Sequence, residues 1–122
     1  MVTLNSFKYA VKGMREVIKS ERNAKIHLFF AGLAIVGSII LKVGVLEFLF
    51  VFTSIILVIF AEIINTAIEK TLDLISQENN HAVELTKDMM AAAVLLTAIG
   101  SLVVAFVVFV PRIIELIQKY FL

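Results

Sequence analysis

The chain has no cysteine, a single proline, five glycines and a net charge of only +1, and each shortage removes a class of function. Without cysteine there are no disulfides, no thiol nucleophile and no thiolate-held zinc. So small a net charge provides no global field for nucleic acid. The glycines, Gly13, Gly32, Gly37, Gly44 and Gly100, build neither a GxxxxGK[ST] loop nor a GxGxxG turn. Gly32 and Gly37 have the first spacing, but Ser38 follows where lysine is required, and the site falls inside an uncharged run. Two histidines, His27 and His81, make a poor metal signature. Charges run right through residues 1–25 with no early apolar core, so this stretch does not read as a secretory signal.

Apolar surface is what the chain has in excess. Hydrophobic residues make up 61% of 122 positions, ten of them phenylalanine, against about 45–50% in ordinary globular chains. A soluble domain of this length cannot bury that much. The expectation is an all-α membrane protein forming one domain over residues 1–122, with three transmembrane helices and an N-terminal amphipathic surface helix.

That first helix should run from Leu4 to about Arg22. Phe7, Ala10, Val11, Met14, Val17 and Ile18 repeat on one helical face, with Lys8, Lys12, Arg15, Glu16 and Lys19 on the other. Asn5 or Ser6 is placed to cap its start, and a basic amphipathic helix beside a span lies in the headgroup layer. A polar patch, residues 21–27, precedes the first span, Leu28–Leu41, extended by Ile26, His27 and the Lys42–Val45 end. In this reading His27 is an interfacial or capping residue. A tight turn over Lys42–Glu47 leads into the second span, Phe48 to about Ile68. Ser76–His81 reads as a loop, Met89–Val110 as the third span, Pro111 as its exit and Arg112–Leu122 as a short tail. Ala93, Thr97, Ser101 and Ala105 recur every four residues, a small-residue stripe suited to close helix packing.

Basic residues set the expected orientation. Eight (Lys8, Lys12, Arg15, Lys19, Arg22, Lys25, Lys70 and Lys87) fall on one side and three (Lys42, Arg112 and Lys119) on the other. The first side should be cytoplasmic.

The expensive feature is a set of polar groups in the second span. On a helix, Glu69 and Asp73 lie about 20° to either side of Glu62, and Asn65 about 60° away. One acid at mid-membrane costs on the order of 2.5–3.5 kcal/mol, and such residues usually mark a working site. Glu62 sits roughly 10 Å deeper than Glu69, so one end of the stripe can meet a water-borne ligand while the other meets lipid. Glu21, Asp88, Lys12, Lys25 and Lys87 fall on the same membrane face. Hard oxygen ligands with open water positions suit Mg²⁺ held jointly with phosphates, and lysines can neutralise a phosphoryl group in transit. A carboxylate in apolar surroundings suits a general base for an alcohol. These parts fit phosphoryl transfer from a nucleotide to a lipid hydroxyl. The rival reading is a small proton- or cation-coupled transporter, disfavoured because the polar stripe stops partway across.

The run Glu62-Ile63-Ile64-Asn65-Thr66-Ala67-Ile68-Glu69, followed by Asp73 and then Lys87-Asp88-Met89-Met90-Ala91-Ala92-Ala93, resembles the bacterial diacylglycerol kinase and undecaprenol kinase family. The likeness extends to Tyr9-Ala10-Val11-Lys12-Gly13 and Glu21-Arg22-Asn23-Ala24-Lys25-Ile26-His27. It implies a homotrimeric lipid kinase of the bacterial cytoplasmic membrane, using ATP and Mg²⁺, with sites on trimer interfaces. Carried over, Glu62 is the base, Asn65 holds polar groups beside it, and Glu21 and Glu69 bind Mg²⁺. Lys87 and Asp88 contact the nucleotide and Tyr9 packs near its base or sugar. The family's histidine seven residues past Asp73 is Asn80 here, with His81 one place later. The Glu21–His27 run looks more like undecaprenol kinases, so undecaprenol is the favoured acceptor and diacylglycerol the alternative.

Overall fold

The computed structural model describes residues 3–75 and 80–122, and among them regular structure is entirely helical. Four helices follow one another: α1 (Leu4–Ser20), α2 (Arg22–Ile40), α3 (Val45–Ile75) and α4 (His81–Phe121). The last three are each long and apolar enough to cross a membrane, which makes the chain a multi-pass membrane protein. At 1.5 Å per residue α3 is about 46 Å long and α4 about 60 Å, so both outrun a hydrocarbon core of about 30 Å. The charged end of α3 beyond Glu62 and the first turns of α4, before the uncharged run that begins at Met89, are the parts too polar for that core.

Helix starts and stops differ in detail from the expected ones. Thr3, not Asn5 or Ser6, caps α1, its hydroxyl accepting from the Ser6 amide at 3.3 Å. α1 stops at Ser20, and Arg22 already belongs to α2. Between them Glu21 is extended (φ −113°, ψ 119°) and serves both helices, its amide donating to the Val17 carbonyl at 3.0 Å. The expected turn over Lys42–Glu47 is shorter, because α3 already begins at Val45. Its sharp residue is Lys42 (φ 51°), while no glycine has positive φ. The Lys42 amide donates to Ile39 and the Val43 amide to Ser38, at 3.3 and 3.2 Å, a Schellman closure in which lysine stands where glycine is preferred. Gly44 instead precedes α3, its carbonyl taking the Phe48 amide at 2.9 Å.

Of the expected loop over Ser76–His81, residues 76–79 lie outside the described residues. Its end is corrected: His81 is the first residue of α4, and the Asn80 side chain caps that helix by accepting from the Ala82 amide at 2.9 Å. Pro111 does not end the third span's helix either. α4 runs through it to Phe121. Just past the proline, Arg112 grips Glu47 of α3 at 3.1 Å and the Lys42 carbonyl at 3.3 Å, which holds the helix in place where the proline removes one backbone bond.

α3 is the centre of the packing, chiefly against α4 and then α2. Yet among the described residues only Ala24, Val51, Val58, Ala61 and Val108 are buried apolar residues. The accessible surface is 9471 Å², against about 6,600 Å² for a compact globular chain of this mass. Phe29, Phe50, Phe60, Leu96 and Phe106 are among the large apolar side chains facing outward. A surface of this kind needs lipid or neighbouring apolar helices to cover it.

Candidate active site

The acids of α3 are placed by the same periodicity that builds its core face. Val51, Val58, Glu62 and Thr66 are buried and separated by seven, four and four residues, so they share one side of the helix. The Glu62 side chain is only 3% exposed. It therefore points into the protein and away from hydrocarbon. One turn on, the Thr66 hydroxyl donates to the Glu62 carbonyl at 2.9 Å, which leaves the carboxylate unshared with it.

What the carboxylate meets is His27 of α2, with Nδ1 3.0 Å from Oε1. The approach is close but out of line for the ring N–H, so neither atom completes a hydrogen bond. Asn65 Oδ1, one turn along, is also buried without a partner. An unsatisfied buried polar atom costs about 1–3 kcal/mol. Three in one neighbourhood are the mark of a site arranged to receive something rather than to be stable by itself.

Other charges gather around this pair. Those that act on Glu62 come from His27, Glu21 and Glu69. Glu21 is half-buried in the joint between α1 and α2 and spends no side-chain bond on capping α2, so its carboxylate is free for other work. Glu69 is half-buried and also acts on Lys87. Lys87, before the apolar run that begins at Met89, donates to Asp73 at 2.9 Å. That hydrogen bond, and then the charge behind it, raises its pKa above the ordinary lysine value. Asp73 therefore has a visible task, holding Lys87 near Glu69.

Glu21 and Glu69 are close enough to Glu62 for their charges to act on it, Asn65 lies one turn along the same helix, and Glu69 acts in turn on Lys87. The structure does not bring Tyr9 or Asp88 to them: Tyr9 is 69% exposed on α1, and Asp88 is exposed with no ion-pair partner among the described residues. His27 corrects the sequence reading. It is neither a cap nor merely interfacial but the direct neighbour of Glu62. The signal that could have found it is its place one face from the acid stripe, at the start of the first span. Among the described residues no three His, Asp or Glu converge closely enough to hold a metal alone. Mg²⁺ commonly takes one or two carboxylates and completes its octahedron with phosphate and water. Glu21 and Glu69, both of whose charges act on Glu62, are the carboxylates that would serve such an arrangement.

Beside His27 opens a groove of about 380 Å³ between α2, α3 and α4. Ala34, Gly37, Val58, Ile59, Leu102 and Ala105 are among its walls. It extends along α2 from His27 to Leu41, roughly 21 Å. Ser101 and Ala105 of the small-residue stripe face it. Its hydroxyls are spent on their own helices, Ser54 on Val51 at 2.8 Å and Ser101 on Ala98 at 2.7 Å. Among the described residues His27 is thus the one ionisable group on an otherwise greasy wall.

Membrane-crossing helices, an inward acid with a histidine at its side, and an apolar groove ending there define a class: small integral membrane proteins with a buried polar centre. Comparison with known proteins narrows it. The family model of prokaryotic diacylglycerol kinase matches residues 8–109, and the chain belongs to that family. An undecaprenol kinase of Bacillus subtilis is 30% identical over 108 residues, 88% of each chain. A diacylglycerol kinase of Synechocystis is 31% identical over 93% of this chain and 65% of its own. A diacylglycerol kinase of Haemophilus influenzae is 29% identical over 75% and 77%.

Proposed function

We propose that this protein transfers the γ-phosphoryl group of ATP to the hydroxyl of a membrane lipid alcohol, at the cytoplasmic face of the bacterial inner membrane and as a homotrimer. The observation that carries the reading is the meeting of Glu62 and His27 at the end of the apolar groove. A lipid tail in the groove brings its hydroxyl to the ionisable end of the wall, at His27. The stripe from Glu62 to Glu69 then leads outward to where a soluble nucleotide can stand. Glu62 serves as the base side of the reaction, with Asn65 orienting polar groups beside it. Glu21 and Glu69 would hold Mg²⁺ against the phosphates, where the ion neutralises charge that builds up in transfer. Lys87, kept in place by Asp73, reaches the nucleotide phosphates with Asp88, and Tyr9 covers the base or sugar. The last two stand apart within one chain, which suits a site completed by a second subunit.

Undecaprenol is the favoured acceptor. The Glu21–His27 run supports it, as does the even match, 88% of both chains, to a protein named undecaprenol kinase. A transporter finds little support: the groove's serines are internally bonded and offer an ion no continuous set of ligands.

The test is direct. Purified protein in detergent, given γ-labelled ATP with undecaprenol and diacylglycerol side by side, should label undecaprenol faster. Label in neither lipid, with or without Mg²⁺, ends the kinase reading. Faster labelling of diacylglycerol reverses the choice of acceptor.

A further inference from the structure

α4 does not end where its membrane span should. The uncharged run closes at Val110 and the match to the family model at residue 109. The helix nevertheless goes on to Phe121, about 16 Å past Val110. The headgroup layer beyond the hydrocarbon is only about 5–7 Å deep on each side. A straight, upright tail would therefore carry Ile117, Tyr120 and Phe121, which are 46%, 67% and 82% exposed, into water.

The polarity of the tail changes on one side only. On the side of α4 that packs inward, half-buried Ser101 and buried Val108 are followed by Arg112, Glu115 and Lys119, all within an arc of about 60°. The opposite side carries the outward-facing Leu95, Leu96, Leu102, Val103, Phe106 and Val107 of the span. It continues with no polar residue as Ile113, Ile114, Leu116, Ile117, Tyr120 and Phe121, an arc about 160° wide. A helix end that stands in water has no reason to stay greasy on its outer side. This one turns polar only towards the protein, so its outer side still meets something apolar.

We propose that residues 113–121 are a membrane-surface anchor, seated with this outer face in the headgroup layer at the end of α4 opposite the acid stripe. The inference goes beyond the kinase reading and does not depend on it. Lipid is the occupant because the face is unbroken with the lipid-facing side of the span. Its width agrees: a seam against one neighbouring helix needs only about two residues in seven, whereas a wide apolar face suits a flat lipid surface. Lys119 Nζ lies 5.4 Å from the centre of the Tyr120 ring, and an aromatic ring beside a cation belongs at headgroup level. Pro111 leaves one helix bond unmade just before the tail. The helix is softest there, so the tail can lean into the layer while Arg112 stays on Glu47.

The chain has no tryptophan, so a single introduced one reports its own surroundings. Tyr120→Trp places it on the outer face and Gln118→Trp about 160° away. Each full-length variant is put into vesicles of phosphatidylethanolamine and phosphatidylglycerol whose acyl chains carry bromine close to the headgroup. Tyr120→Trp should lose at least about half of its emission to the bromine, and Gln118→Trp less than about a fifth. Water-like emission at position 120, quenched no more than at 118, places the tail in solvent and overturns the proposal. Short-wavelength emission at 120 that bromine leaves untouched places protein on the face, as in a bundle of tails from several copies, and overturns it too. The unaltered protein gives a second reading. A water-soluble gadolinium chelate should broaden the Gln118 side-chain amide signal at least about threefold more than the Ile117 methyl signals, and equal broadening contradicts the anchor. Neither measurement uses turnover, so a failed lipid assay leaves both standing.

Discussion

Two glutamates on α3, Glu47 and Glu62, each meet a basic group from another helix, about 22 Å apart along the axis, and they are treated in opposite ways. Glu47 is satisfied. Both its oxygens accept from Arg112 Nη2, at 3.1 and 3.2 Å, while Nη1 of the same guanidinium takes the Lys42 carbonyl at 3.3 Å. That cluster is partly exposed and ties the turn, α3 and the far stretch of α4 together. Glu62 is nearly sealed from solvent, and its contact with His27 satisfies neither atom. A pair that exists to hold helices together completes its hydrogen bonds. A buried pair left incomplete is held in readiness, and the surrounding packing must bear the cost.

That contrast can be broken or sharpened by four substitutions. The largest effect is expected at Glu62: Glu62→Gln should lower lipid phosphorylation by about 100-fold or more, while the thermal midpoint hardly moves or rises, since a buried charge is removed. Near-normal turnover would place the base elsewhere. Next is Glu69→Gln. If Glu69 holds Mg²⁺ as proposed, the Mg²⁺ concentration for half-maximal rate should rise about tenfold, and an unchanged Mg²⁺ titration contradicts the assignment. At the structural pair, Arg112→Met should cost roughly 1 kcal/mol, as a partly exposed ion pair does, read as a lower thermal midpoint with turnover per folded protein within twofold. Loss of activity there would mean the two regions are coupled. The smallest effect is a gain: Lys42→Gly should raise stability by about 0.5–1 kcal/mol, because glycine adopts φ 51° without a Cβ penalty. A loss would show that the Lys42 side chain matters more than its backbone.

Much of the fold was legible because its causes are local. Long uncharged runs give α2, α3 and α4 whatever their neighbours do, and the spacing of Glu62, Glu69 and Asp73 places them on one face from helical geometry alone. Boundaries were less legible. Thr3 outcompetes Asn5 and Ser6 as cap, and Lys42 rather than Gly44 takes the left-handed turn position. Those choices depend on which residue the helix register delivers to the end. Pro111 sits inside α4, and just past it Arg112 finds Glu47 sixty-five residues away, a contact that no local rule anticipates.

The composition of the chain dictated a helical membrane protein, and the pattern within one helix dictated an acidic stripe of graded depth; both follow from hydropathy and a 3.6-residue period. Folding alone could decide that the stripe's buried end faces inward and that His27 meets Glu62 beside the groove. The physical reason is that burial, partnership and access belong to pairs of helices. The angle at which α2 settles against α3 is written in the packing of both, and in neither read alone.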